Sequence, residues 1–226
     1  MRTAPSNPDG PPASCSYGHN EVMSTPLLAE FEALVDREWD RMANAGTWWT
    51  GTERVAIATE ARLSRDDPPS SNQLSTAANE AARRVSAEAA TIRQVDIDRW
   101  ADGGLDPFAY VELVSVVSRL AAIDVSAFGL GMNERPLPVP QPGNPSFERP
   151  TDAVVSNGWV PTVGPAWAPA SLSAVPDEVD AMFDVHGVLY LSMEQMSDNE
   201  IVRNGVHRAQ IELAAARTSW LNECFY

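Results

Sequence analysis

Phe108-Ala109-Tyr110-Val111-Glu112-Leu113-Val114-Ser115-Val116-Val117-Ser118-Arg119-Leu120-Ala121-Ala122-Ile123-Asp124-Val125-Ser126-Ala127-Phe128 is apolar nearly all the way round a helical wheel. Val111, Leu113, Val114, Val116, Val117, Leu120 and Ile123 leave so little polar face that the segment reads as the buried centre of a helical bundle. Asp106-Pro107 before it is a cap followed by proline at the first helical position, where the missing N–H costs nothing. Gly129 and Gly131 beyond it suit a C-terminal cap. A central helix of this kind needs other helices around it, and the flanking sequence supplies candidates.

Upstream, Thr25-Pro26 repeats the cap-plus-proline start, and Leu27, Phe31, Leu34, Val35 and Trp39 follow at helical spacing. Thr50-Gly51-Thr52-Glu53 matches a capping box and predicts a second helix to about Leu63, stopped by Asp66-Asp67-Pro68-Pro69. Residues 71–94, rich in Ala and free of Gly and Pro, predict one long amphipathic helix, and Gly103-Gly104 breaks the chain after it. Asp66-Asp67 and Asp96 with Asp98 read as solvated loop charges, and Trp48-Trp49 as a core anchor.

Downstream, residues 132–176 hold ten prolines, a density that few regular elements tolerate. They read as an extended connector, with Trp159 and Trp167 as candidate anchors. Residues 177–191 predict another helix. Ser197-Asp198-Asn199-Glu200 is a second capping box, and Val202, Val206, Ala209, Leu213, Ala216 and Trp220 then form an apolar stripe in steps of 4, 3, 4, 3 and 4. Strand signals are scarce, so the predicted fold class is all-α. The organisation expected is a disordered tail at 1–24, a helical domain at 25–131, the connector at 132–176, and the start of a second helical repeat at 177–226.

The chain has 226 residues, 44% of them hydrophobic, enough to bury a core. A formal net charge of −15 argues against nucleic acid, which is bound by displacing counterions with Lys and Arg, and against anionic membrane surfaces. No apolar run approaches a membrane span, and the Pro-, Ser- and Gly-rich N-terminus has no apolar signal-peptide core. Two cysteines, Cys15 in the tail and Cys224, do not make a secreted disulfide scaffold, so the expected location is a reducing cytoplasm.

Two helical segments rhyme: Glu53-Arg54-Val55-Ala56-Ile57-Ala58-Thr59-Glu60-Ala61-Arg62 and His207-Arg208-Ala209-Gln210-Ile211-Glu212-Leu213-Ala214-Ala215-Ala216-Arg217. If this is a duplication, the first copy is followed by about 70 more residues of helix and the second by almost none, so the second repeat is expected to be incomplete.

Glu212 and Cys224 are twelve residues apart, about 18 Å along one straight helix, so they can meet only if the chain turns between them. A turn over 218–222 with Asn222 as a new cap would put Cys224 in a first helical turn, where the macrodipole favours thiolate. The run Arg208-Ala209-Gln210-Ile211-Glu212-Leu213-Ala214-Ala215-Ala216-Arg217-Thr218-Ser219-Trp220-Leu221-Asn222-Glu223-Cys224-Phe225-Tyr226 resembles the core of the alkylhydroperoxidase D-like, or carboxymuconolactone decarboxylase, superfamily. Its peroxidases show Glu, eleven residues, Cys, two residues, Cys, three residues, His. Glu212 and Cys224 match the first two elements; the second Cys would fall immediately after Tyr226. A weaker likeness covers residues 25–131 as a degenerate copy of the same unit, without a cysteine of its own, and the connector has no counterpart.

The resemblance implies an all-helical, commonly oligomeric thiol peroxidase that needs no metal or haem. It takes a hydroperoxide substrate and a dithiol reductant. The second cysteine attacks and becomes a sulfenic acid, the first (here Cys224) resolves it to a disulfide, and Glu212 belongs to the proton relay. The chain as it stands is therefore expected to be inactive or nearly so. Three explanations of its ending stay open: an in-frame UGA read as selenocysteine, a nonsense mutation or sequencing error, or a complete chain whose likeness is fortuitous. The codons that follow discriminate them. Competing readings are an inert Cys224 and a solvated Glu212, a non-catalytic helical protein that binds a partner through its connector, or a decarboxylase-type lyase. His186 and His207 read as structural or surface residues with no metal-ligand spacing, and His19 lies in the tail.

Overall fold

The computed structural model describes residues 26–63, 67–70, 72–156, 158–165 and 170–224. The expected tail, Thr25, Cys15, His19, Asp66, Ser71, Trp167, Phe225 and Tyr226 lie outside the described residues. The fold is mostly helical. Among the described residues there are seven α-helices: α1 (Pro26–Ala43), α2 (Gly51–Arg62), α3 (Thr76–Glu88), α4 (Gln94–Asp102), α5 (Pro107–Gly129), α6 (Pro176–Leu189) and α7 (Arg208–Leu221). One hairpin, β1 (Val202–Arg203) with β2 (Val206–His207), precedes α7.

Helix α5 is the central helix its sequence predicts. It packs against α1, α2, α3 and α6, and Val111, Leu113, Val116, Val117, Leu120 and Ile123 are all buried. Asp106 caps it, accepting from the Phe108 N–H at 2.9 Å, and Gly131 takes a left-handed φ of 70° just past its end. Helix α2 begins with the predicted capping box: Thr50 Oγ1 accepts from Glu53 N, and the Glu53 carboxylate accepts from Thr50 N at 2.9 Å. Alanines let α2 and α3 approach closely, with Ala58, Ala78, Ala81 and Ala82 fully inside. From α1, Phe31, Leu34, Val35 and Trp39 are buried, as their spacing predicts; Trp48 and Trp49 are buried in the loop that follows.

Three expectations are corrected. The long helix expected over 71–94 is a shorter one, 76–88, and a separate helix runs from 94 to 102. Ser75 caps α3 at 76, a single 3-10 turn covers Ala89–Thr91, and α4 starts at Gln94. Asp96 is not a loop charge: its carboxylate accepts from the Arg93 N–H at 2.9 Å, fixing the first turn of α4, and pairs with Arg84 at 2.5 Å. At the other end, 197–200 opens no helix. Asn204 (φ 51°) and Gly205 (φ 80°) form the left-handed two-residue turn that suits a hairpin, so helix α7 starts only at Arg208, capped by His207.

Among its described residues the connector holds no α-helix before α6 and no strand, apart from one bridge between Val154 and Thr162. It is tied to the bundle by Trp39 Nε1 donating to Pro136 O at 2.6 Å, Gln141 N to Ala43 O at 2.8 Å and Phe147 N to Thr47 O at 2.8 Å. Arg149 lies over Trp48 and Phe108, 4.7 and 4.8 Å from the ring centroids, and pairs with the second oxygen of Asp106 at 2.6 Å. The chain thereby returns α6 to pack on α1 and α5. Trp159 is half-exposed.

Candidate functional site

The two residues singled out by sequence lie on α7 and just beyond it. Helix α7 has no buried residue, and its stripe is largely in water: Leu213 is 72% and Trp220 76% exposed. It is held at its start. Arg203 of β1 satisfies the last carbonyls of α6, donating to Gly187 O at 2.7 Å, Val188 O at 2.8 Å and Tyr190 O at 2.5 Å. Arg208 then reaches the carbonyls of Gln195 and Met196.

Glu212 Oε1 accepts from the Tyr190 hydroxyl and from Arg208 Nε, both at 2.5 Å. The Tyr190 hydrogen bond, helped by Arg208, lowers its pKa, so it is a carboxylate at neutral pH. Partial burial and that carboxylate together raise the pKa of the Tyr190 phenol. Tyr190 with Ile211, Ala214 and Ala215 lines an open groove of about 480 Å³. His186 makes no metal cluster; its Nδ1 is 2.6 Å from Leu191 O and its ring stands edge-on to Tyr190.

Cys224 is exposed, and the structure does not bring it to Glu212. Helix α7 runs unbroken through Leu221, so the expected turn over 218–222 is absent. Glu223 adopts a left-handed φ of 53°, its N–H bonds Trp220 O at 3.3 Å, and the Cys224 N–H bonds Ser219 O at 2.9 Å. Those two bonds are a Schellman motif. Cys224 therefore follows the C-terminus of α7 instead of opening a first turn. The macrodipole there favours cations, not the thiolate that the first-turn placement was expected to favour.

A second constellation went unread in the sequence. Glu112, Ser115 and Arg119 lie at i, i+3 and i+7 on α5 and face Glu38 of α1, Arg54 of α2 and Glu178 of α6, all buried. Glu178 receives both guanidinium groups, Arg54 at 2.9 Å and Arg119 on its other oxygen. Arg119 also donates to Ser115 Oγ and, at 2.7 Å, to Glu38, which pairs on through Arg41 to Asp184 at the surface. Glu112 takes the weakest share. It lies 3.5 Å from Arg54 and accepts from the Trp48 N–H at 2.6 Å.

Glu178 and Glu38 are each held by two guanidiniums, whereas Glu112 has only the longer contact to Arg54, so Glu112 is the least neutralised carboxylate of this low-dielectric interior. Burial pushes its pKa up to about 7, against the pull of Arg54 and with the added push of Glu178. Glu178 moves the other way: burial raises it, but Arg119 and Arg54 together outweigh burial and hold it below the ordinary range. Gly46 is required beside this cluster, because a Cβ there would collide with the Glu112 carboxylate and the Arg54 guanidinium. Arg54 and Glu178 also border a cleft of about 430 Å³. The signal that could have found the cluster was the i, i+3, i+7 spacing of polar side chains in a helix otherwise apolar all round. Its mutual pairing ties four helices in register and leaves one protonatable site.

Among the described residues no three His, Cys, Asp or Glu side chains are placed to hold a metal, and no helix is long and apolar enough to cross a membrane. Compared with protein-family models, curated proteins and solved structures, the chain matches none.

Proposed function

We propose that this chain carries the resolving half of a thiol-dependent peroxidase-like site, which reduces hydroperoxides through a Cys-x-x-Cys or Cys-x-x-Sec pair with Cys224 as its first member. The observation that carries the reading is the Glu212-x11-Cys224 spacing on a helix whose end leaves the cysteine in solvent. The attacking thiolate or selenolate takes the terminal oxygen of the hydroperoxide, the O–O bond breaks, and the alcohol leaves with a proton. Cys224 then attacks the resulting sulfenic or selenenic centre, water departs, and a dithiol reductant restores the pair by exchange.

Exposure of Cys224 past the end of α7 leaves a resolving sulfur accessible to a partner. Glu212, held ionised by Tyr190 and Arg208, is a carboxylate able to accept a proton, and its partner Tyr190 lines the open groove.

The test is continuation of the chain after Tyr226 by Cys, three residues and His. With a dithiol reductant the continued chain should consume cumene hydroperoxide, whereas the chain of 226 residues should not. Cys224→Ser in the continued chain should still form a sulfenic acid that dimedone traps, but no intramolecular disulfide. Robust turnover by the 226-residue chain, or none by the continued chain, defeats the reading.

A further inference from the structure

A cavity of about 290 Å³ lies between the α3–α4 corner, α5 and the connector. Its walls are aliphatic: Val85, Ile92, Ile97, Val114, Val160 and Leu172. Among the described residues no Asp, Glu, Lys, Arg or His lines it. The polar side chains on its wall are Tyr110 and, at the exposed connector side, Ser171, with Trp159 beside them. Tyr110 is 8% exposed, and its hydroxyl makes no hydrogen bond with any described residue.

We propose that this cavity binds a small neutral apolar molecule with one hydrogen-bond acceptor, which the Tyr110 hydroxyl meets. The size follows from volume. A dry cavity of about 150 Å³ takes one benzene, so one of about twice that volume takes about ten to twelve non-hydrogen atoms. Neutrality follows from the walls, where a charged group would lose its water and find no counter-charge. The acceptor follows from the phenol. Burial, with a smaller contribution from Asp96 and against Arg84, pushes its pKa up to about 12, so it is a donor throughout the physiological range. Hydroxyls of buried residues find partners in folded proteins, and Tyr110 lines a cavity whose occupant can supply one. The site is independent of Cys224 and Glu212, which do not line it.

Isothermal titration of the 226-residue chain with 4-phenyl-2-butanone and with n-butylbenzene tests the proposal. Both have the right size, and only the ketone carries an acceptor. The expected result is saturable one-to-one binding of the ketone with a Kd of about 1 mM or tighter. Tyr110→Phe should weaken the ketone about five-fold and leave butylbenzene unchanged. Val114→Trp fills the cavity and should abolish binding of both. Ser171→Trp blocks the exposed side without touching the core and should do the same if the core variant fails to fold, as checked by circular dichroism. No saturable binding of the ketone overturns the proposal, as does binding that survives Ser171→Trp. Equal weakening of both ligands by Tyr110→Phe overturns the assigned role of the hydroxyl.

Discussion

Glu112 is fully buried and half-charged near neutrality, which gives it a pH signature opposite in sign to that of its neighbour Glu178. Its pKa rises from an ordinary 4.5 to about 7, so between those values the folded state holds more proton than the unfolded chain. The stability it contributes is complete below pH 4.5 and is lost as pH rises through 7, on the order of 3 kcal/mol. Glu178, with its pKa lowered, contributes stability above its unfolded value that is lost only in acid. Urea unfolding at pH 5 and pH 8 should therefore show the parent losing more stability on the alkaline side than Glu112→Gln, which keeps an acceptor for the Trp48 N–H. Equal slopes in the two proteins would remove Glu112 as the source. The residue stood in plain view in the sequence. It was passed over because the apolar count of α5 dominates its pattern, and because a buried charge declares itself only through partners from α1, α2 and α6, which lie far away in the chain.

Elements were legible where capping and periodicity agreed, and misread where a short-range signal competed with a longer one. Asp106-Pro107 and Thr50 with Glu53 announce α5 and α2 correctly, because caps act over three residues and need no tertiary partner. The break between α3 and α4 carries no Gly or Pro; it is made by the Arg93–Asp96 cap and the Arg84 ion pair, the second of which spans two helices. Asn204-Gly205 was a readable hairpin signal overshadowed by a clean helical stripe. That stripe shows the difference between what a helix can bury and what it does bury. Leu113 of α5, fully buried, should cost about 2–5 kcal/mol as Leu113→Ala. Leu213→Ser on α7 should change stability by less than about 0.5 kcal/mol, measured by the same denaturant titration. The end of α7 makes a separate prediction. Glu223 pays for its left-handed backbone, so Glu223→Gly should steady the helix terminus by roughly 0.5–1 kcal/mol. The readout is slower hydrogen exchange at the Cys224 N–H, which bonds Ser219 O.

Across the whole molecule, the proline-rich stretch is what joins α5 to α6, and it does so as a strap pinned at several points. Its density of prolines was readable; its path was not, since its hydrogen bonds go to single carbonyls of the bundle, such as Ala43 and Thr47. Arg149 over Trp48 and Phe108 is one such pin, and Arg149→Ala should cost about 0.5–1 kcal/mol and speed exchange at the Phe147 N–H more than at amides of α5. The same bundle has one further property, which follows from the burial of Glu112 at its centre beside a single distant guanidinium. At pH 7 the folded molecule carries about half a proton on Glu112, and the unfolded chain carries almost none there. Unfolding is thus an acid-releasing reaction, and the solution must absorb what the core lets go. A scanning calorimeter should read a different heat of unfolding in Tris, which takes up protons exothermically, than in phosphate, which does so with little heat. In Glu112→Gln the two readings should coincide. The buried carboxyl at the centre of the bundle would then be visible from outside the protein, as heat exchanged with the buffer.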